Sequence, residues 1–145
     1  IFHLLTSKFG TMICYEATYP GFARQLVQKG APFLVNISND TWLGGSQAAR
    51  EQHFSMAVFR AVETRRSLVR TATAGISVFI DPYGRVRQLS STRSGTTLGQ
   101  LIPFTYQTIY TRYGDWFAWS CVGFASLTFL VVRWKDSVHR PAKTS

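Results

Sequence analysis

The chain has 145 residues, the length of one domain or a large part of one. Its hydrophobic content of 46% and aromatic content of 14% exclude a disordered or low-complexity chain. Two cysteines, Cys14 and Cys121, are too few for a cystine scaffold or a four-thiolate zinc site, and no metal site is expected.

The net charge of +9 is spread rather than clustered. Arg60, Arg65, Arg66 and Arg70 fall on one expected helix, and Arg85, Arg87 and Arg93 in a hairpin-like stretch. No run of five basic residues, zinc-finger spacing or RNA-binding signature is present, so nucleic acid is not an expected partner.

Ile1 to Leu5 read like the interior of a fold, with no basic leader or cleavage site ahead of them. The expectation is a piece of a longer polypeptide, with its catalytic set divided by the cut. Lys8 to Cys14 ends in a short apolar run, a buried strand. Tyr19-Pro20-Gly21 then opens a helix carrying Phe22, Leu26 and Val27, which Gly30 stops. Pro32 to Ile37 is a second buried strand, and Ser38 to Gly45 a polar loop. From about Gln47 to Arg70 the period is helical, with Phe54, Val58, Ala61 and Val62 on one side. Ile76 to Ile80 is a third strand, and Asp81-Pro82-Tyr83-Gly84 turns it into Arg85 to Leu89 as a hairpin. Ser90 to Gly99 is a Ser/Thr/Gly-rich loop.

The composition shifts near Asp115. Trp116 to Val132 is 17 residues without a charge. As a helix it reaches roughly 26 Å, the short end of a bilayer span. Trp116 and Trp119 mark one edge and Trp134 the other, with Arg133, Lys135, Arg140 and Lys143 at that second end. Aromatic belts and a basic flank are the marks of a spanning helix with a cytoplasmic C-terminus. The expected division is 1–114 catalytic, 115–134 transmembrane and 135–145 a basic cytoplasmic tail.

The sharpest chemical signal is Met12-Ile13-Cys14-Tyr15-Glu16. A cysteine at a strand end, ahead of a Pro-Gly helix start, sits where a nucleophile elbow exposes its sulfur to backbone N–H donors. Read alone, such a cysteine is more often a small buried hydrophobe.

Three motifs in order add to it: Ile13-Cys14-Tyr15-Glu16, then Asn36-Ile37-Ser38-Asn39-Asp40-Thr41-Trp42-Leu43-Gly44, then Gln52-His53-Phe54 onward to Glu63. With Arg70 to Ser77 and Asp81 to Val86 they resemble the nitrilase (carbon–nitrogen hydrolase) superfamily. Ser38 to Gly44, Gln52-His53-Phe54 and the C-terminal apolar segment together resemble its membrane branch, the apolipoprotein N-acyltransferases. The resemblance implies an α/β protein: the C-terminal part of a nitrilase-like α-β-β-α sandwich, followed by one transmembrane helix. It implies a Glu–Lys–Cys triad of which only the nucleophile, Cys14, lies here. Glu and Lys are expected upstream, and Lys8 and Glu16 do not take their places.

The resemblance further implies acyl transfer without metal or organic cofactor. Cys14 takes an acyl chain from a phospholipid as a thioester and passes it to the amine of a diacylglyceryl-cysteine apolipoprotein. The implied setting is the bacterial inner membrane, with the catalytic part periplasmic, and the piece alone is expected to be inactive. Tyr15 and Glu16 are supporting site candidates, and Asn39 and Trp42 substrate-binding candidates. For Asn39 and Trp42 the competing reading is an Asx turn and a packed indole. His53 reads as structural, and Arg60 with Glu63 as an intrahelical ion pair. Cys121 reads as inert packing. Ala72-Thr73-Ala74-Gly75 departs from relatives that carry an Asn before the Gly, and so loses an amide. The alternatives are a membrane-anchored amidase acting on a small amide and a non-enzymatic membrane-anchored binding module.

Overall fold

Apolar strands alternating with helices of 9 and 18 residues dictate the first layer of the structure. The computed structural model describes residues 1–4, 7–88 and 98–138. They fall into two units, Ile1–Gly114 and Asp115–Ser145. In the first, β1 (Phe2–Leu4), β2 (Ser7–Ile13), β3 (Phe33–Asn39), β4 (Ser67–Thr73), β5 (Val78–Ile80) and β6 (Val86–Gln88) form one six-stranded sheet in chain order. The neighbours β2, β3 and β4 are parallel, and the outer pairings are antiparallel.

Parallel neighbours need crossovers, and α1 (Pro20–Gln28) and α2 (Gln47–Thr64) supply them. Both crossovers step the same way across the sheet. The common hand of such units therefore puts both helices on one face, where they touch each other. On that face the register aligns Gly10 with Leu34, Leu68 and Ile80, and Met12 with Asn36, Arg70 and Val78. All eight are buried. Helix α1 lies so close over β2 that a Cβ on Gly10 would stand 2.9 Å from the Leu26 Cβ. The opposite face carries Ile13 and Ile37, both exposed, and a stack of Phe2, Phe9 and Phe33 with centroids 5.8 and 5.6 Å apart. The described residues thus form one helix-covered sheet, the α-β half of a sandwich.

Pro20 stands at the start of α1, where its missing N–H costs nothing, and Ala23, Leu26 and Val27 form the buried stripe. Ser46 caps α2 by accepting from Ala49 N–H at 3.3 Å. Beyond β6, residues 98–108 run back along the unit. Phe104 N–H reaches Pro32 O at 3.2 Å, and Ser67 Oγ reaches Ile102 O at 3.0 Å. Arg66, fully buried, donates to Ala31 O at 2.9 Å and Tyr106 O at 2.6 Å, tying this segment to the core. A short helix, α3 (Ile109–Tyr113), closes the unit.

Several expectations change. Helix α2 stops at Thr64, not Arg70, because Arg65 turns left-handed at φ 50°. Its side chain is held there over the Tyr83 ring at 4.9 Å. Ser67 to Thr73 is a strand, so Arg70 is a sheet residue. The buried stripe of α2 is His53, Ala57, Arg60, Ala61 and Thr64, while Phe54 and Val58 only flank it. Strand β3 runs on through Ser38 and Asn39, and Asp40–Leu43 is a 3-10 turn rather than open loop. The third strand begins at Val78. Ile1 and Phe2, expected inside, are exposed at the sheet edge. Arg93 and the loop from Ser90 to 97, like Arg140 and Lys143, lie outside the described residues.

The second unit is α4 (Trp116–Val138), within which Trp116–Lys135 is long and apolar enough to cross a membrane. Cys121 is exposed on this helix rather than packed.

Ala74 has φ 55°, a left-handed conformation that costs an L-residue with a Cβ about 1–2 kcal/mol. Asn adopts this conformation more readily than Ala. Ala74→Gly should stabilise the fold by about 1 kcal/mol in urea unfolding. A loss of stability would show that the methyl group contributes more than the backbone relief.

Candidate active site

Three parallel strands end at one edge of the sheet, and their carboxyl ends bring the site residues together, as in open α/β sheets generally. Cys14 follows β2, Asn39 ends β3 with Asp40 just after it, and Ala74 and Gly75 follow β4.

Cys14 begins a 3-10 turn, Cys14–Thr18, with φ 49°. Strain of this kind, about 1–3 kcal/mol, persists only where its surroundings enforce it. Here they do so from both sides. Glu16 Oε2 accepts from Ile13 N–H at 2.7 Å, closing the turn from outside. From beneath, Asn36 Nδ2 donates to Met12 O at 3.1 Å and Cys14 O at 3.4 Å. Thr18 Oγ1 donates to Tyr15 O at 2.7 Å. Glu16 is therefore placed as a brace of the turn, and its carboxylate is committed to that backbone.

Partial burial of Cys14 works to raise its pKa. Hydrogen bonds from the Ser38 hydroxyl, the backbone N–H groups of Asn39 and Tyr15, and the Trp42 indole outweigh it, leaving the thiol below its ordinary value. The Tyr15 N–H is thus among the groups that favour the charged form of the sulfur.

Behind the cysteine lies a buried polar network. Ser38 Oγ stands 3.6 Å from Cys14 Sγ and 2.6 Å from Asp40 Oδ1. Arg70 Nη2 contacts Asp40 at 2.7 Å (Oδ2) and 3.0 Å (Oδ1), both side chains fully buried. Arg70 Nη1 donates to Asn36 Oδ1. His53 Nδ1 lies 3.1 Å from Asp40 Oδ1. Burial raises the Asp40 pKa, but the Ser38 hydrogen bond, the Arg70 hydrogen bonds and charge, and His53 hold it below the usual carboxylate range. Gly75 closes over this carboxylate, in space a Cβ would need.

An aromatic rim surrounds the mouth. Tyr15, half exposed, meets Tyr19 edge-on at 5.7 Å and Trp42 at 6.1 Å, and stacks on the His53 ring at 6.1 Å. Trp42 is 57% exposed and edge-on to His53 at 5.9 Å.

Of the expected site residues, Cys14, Tyr15, Glu16, Asn39 and Trp42 do converge here. Asn39 does so by its backbone: its side chain accepts from Thr41 N–H at 3.2 Å and Thr41 Oγ1 at 2.8 Å, an Asx turn. His53 is structural, and Arg60 pairs with Glu63 at 2.8 Å while also donating to Thr18 O at 3.2 Å. Sequence reasoning gave no role to Asn36, Ser38, Asp40 or Arg70. Continuing the strand period through Ser38 would have placed Asn36, Ser38 and Asp40 on one face.

The fold and site define an α/β protein with a cysteine held in a strained turn at the carboxyl edge of parallel strands. The carbon-nitrogen hydrolase family profile matches residues 1–108, and the chain belongs to that family. It is 40% identical over 133 residues to the apolipoprotein N-acyltransferase of Geobacter metallireducens, a match covering 91% of this chain and 25% of that protein. With the apolipoprotein N-acyltransferase of Pseudomonas aeruginosa it shares 42% identity over 105 residues, covering 72% and 20% respectively. The chain therefore spans only a fifth to a quarter of these relatives. The fold is also similar to the crystal structure of a carbon-nitrogen hydrolase from Helicobacter pylori. There the TM-score is 0.55 and the identity 18%, over 62% of this chain and 39% of the other.

A carboxylate whose folded pKa is depressed stabilises the protein above its unfolded pKa, and that stability drains away as pH falls through the folded value. Asp40 should therefore contribute fully above about pH 4 and progressively less below it. Urea midpoints taken from pH 7 to pH 2 should fall steeply in the acid limb. Asp40→Asn should flatten that limb and cost about 3–5 kcal/mol at pH 7, because Arg70 is left buried without its counter-charge. Equal acid slopes would assign the acid sensitivity to other carboxylates.

Proposed function

We propose that this chain is the nucleophile-bearing part of an apolipoprotein N-acyltransferase. The observation that carries the reading is Cys14: a left-handed cysteine just after β2 with the Ser38 hydroxyl 3.6 Å from its sulfur and its thiol held below the ordinary value. The 40% identity to a protein of that name supports a lipid and lipoprotein substrate class.

In the reaction, a carboxylate base takes the thiol proton and the thiolate attacks the ester carbonyl of a phospholipid. The tetrahedral oxyanion is met by the Tyr15 N–H and a lysine. The ester C–O bond then breaks, and the lysophospholipid oxygen recovers the proton from the base. In the second half, the amine of a diacylglyceryl-cysteine lipoprotein attacks the thioester, the C–S bond breaks, and the amine proton passes to the base.

Glu and Lys for these roles are assigned to a longer polypeptide. Glu16 is tied to Ile13 N–H, and the Lys8 ammonium lies over Gly30, so neither residue serves. The chain alone is accordingly expected to be inactive. The exposed rings of Tyr15 and Trp42 suit contact with an acyl chain at the mouth.

Incubating the intact protein with labelled phospholipid should trap the acyl group on Cys14 as a hydroxylamine-labile adduct. Cys14→Ala should remove both adduct and transfer; turnover retained by that variant would end the reading. In the same assay Trp42→Ala should weaken donor use by about 1–3 kcal/mol at an unchanged melting temperature. A lowered melting temperature with normal kinetics would make Trp42 a packing residue instead.

The same reading assigns Trp116–Lys135 to the bacterial inner membrane, with Cys14 periplasmic and the basic end cytoplasmic. A reporter joined after Ser145 should score as cytoplasmic. A periplasmic signal would reverse the orientation and the side on which Cys14 works.

A further inference from the structure

Ser38 presents one hydroxyl hydrogen to two acceptors, Asp40 Oδ1 at 2.6 Å and Cys14 Sγ at 3.6 Å. The side chain is buried, next to last in β3. The shorter contact claims the hydrogen in the resting state, because a charged acceptor makes the stronger bond. Ser38 Oγ then offers a lone pair to the thiol S–H.

We propose that Ser38 is a positioning residue that switches its hydrogen from Asp40 to Cys14 whenever the sulfur becomes an anion. The inference rests on Cys14 being the nucleophile and adds a part that reading does not contain. When a carboxylate base breaks the S–H bond and takes the proton, the electron pair stays on sulfur. The Ser38 hydroxyl turns about its Cβ–Oγ bond and donates to that thiolate. No bond at Ser38 is made or broken. Acylation removes the negative charge from sulfur, and the hydrogen returns to Asp40. In the second half-reaction the C–S bond breaks with its electron pair on sulfur, and the hydroxyl turns again.

Asp40 makes this switch cheap. Released by Ser38, it is still held by Arg70 at 2.7 and 3.0 Å and approached by His53 Nδ1 at 3.1 Å, so its charge never stands uncompensated. Arg70 in turn is pinned from its other nitrogen by Asn36, the side chain that also braces the cysteine turn. The ionisable groups around the thiol are thus Asp40 just after β3, Arg70 on β4, His53 on α2, and Glu16 and Tyr15 in its own turn. Between them, the Ser38 hydroxyl bridges the sulfur to the carboxylate.

Alkylation of the Cys14 peptide by iodoacetamide, measured against pH in the intact protein by mass spectrometry beside acyl-adduct formation, tests the switch. Ser38→Ala should move the alkylation midpoint up by about one pH unit, so that labelling at neutral pH slows about ten-fold. The acylation rate should fall while donor KM holds, and Ser38→Thr should restore both. If Ser38→Ala does not fold, Ser38→Thr and Ser38→Val, alike in shape and differing in the hydroxyl, are compared in its place. An unmoved midpoint, or a defect confined to KM, overturns the switch while leaving Cys14 as nucleophile. Loss of the adduct site itself in wild type would instead overturn the nucleophile reading.

Discussion

Everything at the carboxyl edge of the sheet depends on one buried ion pair, Asp40 with Arg70 at 2.7 Å. Asp40 follows β3 at the start of the 3-10 turn, Arg70 sits within β4, and His53 reaches the same carboxylate from α2. Asn36 extends the pair sideways to the carbonyls of Met12 and Cys14. Three strands and a helix are therefore referenced to one charge pair, and the strained cysteine turn is built on top of it. Without that platform φ 49° at Cys14 would relax toward ordinary extended backbone.

A buried pair of this kind is a poor source of stability. Desolvating a carboxylate and a guanidinium costs several kcal/mol each, and their attraction recovers this only with good geometry and further hydrogen bonds. Here the geometry is good: Asp40 accepts from Ser38 and Arg70 and meets His53, and Arg70 also reaches Asn36. The network's contribution is placement. Hydrophobic residues of similar volume would fill the same space without fixing where Sγ, the Tyr15 N–H and the Asn39 N–H stand relative to one another.

Much of this was legible in the sequence, and the failures share a cause. The strands ending at Cys14 and beginning at Pro32, the Pro-led helix and the Asp81 turn all carry strong local signals, and the cysteine at the first strand end followed from them. The end of α2 did not, because Arg65 has no propensity for the left-handed turn that it makes; Tyr83, distant in sequence, holds it there at 4.9 Å. That single slip put Arg70 on a helix surface and hid its pairing with Asp40. Asn36 reads as part of the second strand, yet Ser38, Asn39 and Asp40 read as a loop. Polarity is usually a mark of solvent, and only the pairing with Arg70 and His53 makes it compatible with burial.

The aromatic rim and the polar network are two sides of one structure, joined through His53. Its Nδ1 faces Asp40 at 3.1 Å, while its ring lies under Tyr15 and beside Trp42 at 6.1 and 5.9 Å. A histidine suits this place because it can be polar toward the carboxylate and flat toward the rings. A leucine would support the rings and leave Asp40 short of a partner, whereas an asparagine would meet Asp40 and leave the rings without a surface. The position of Tyr15 matters doubly, since its backbone N–H faces the sulfur while its side chain forms the rim. Rim and cysteine are thus consecutive residues on one turn. Any shift of the rings pulls on the same backbone that carries the Tyr15 N–H. The network beneath resists that pull, and this is why charges are buried at the one edge of the sheet where flexibility would be most harmful.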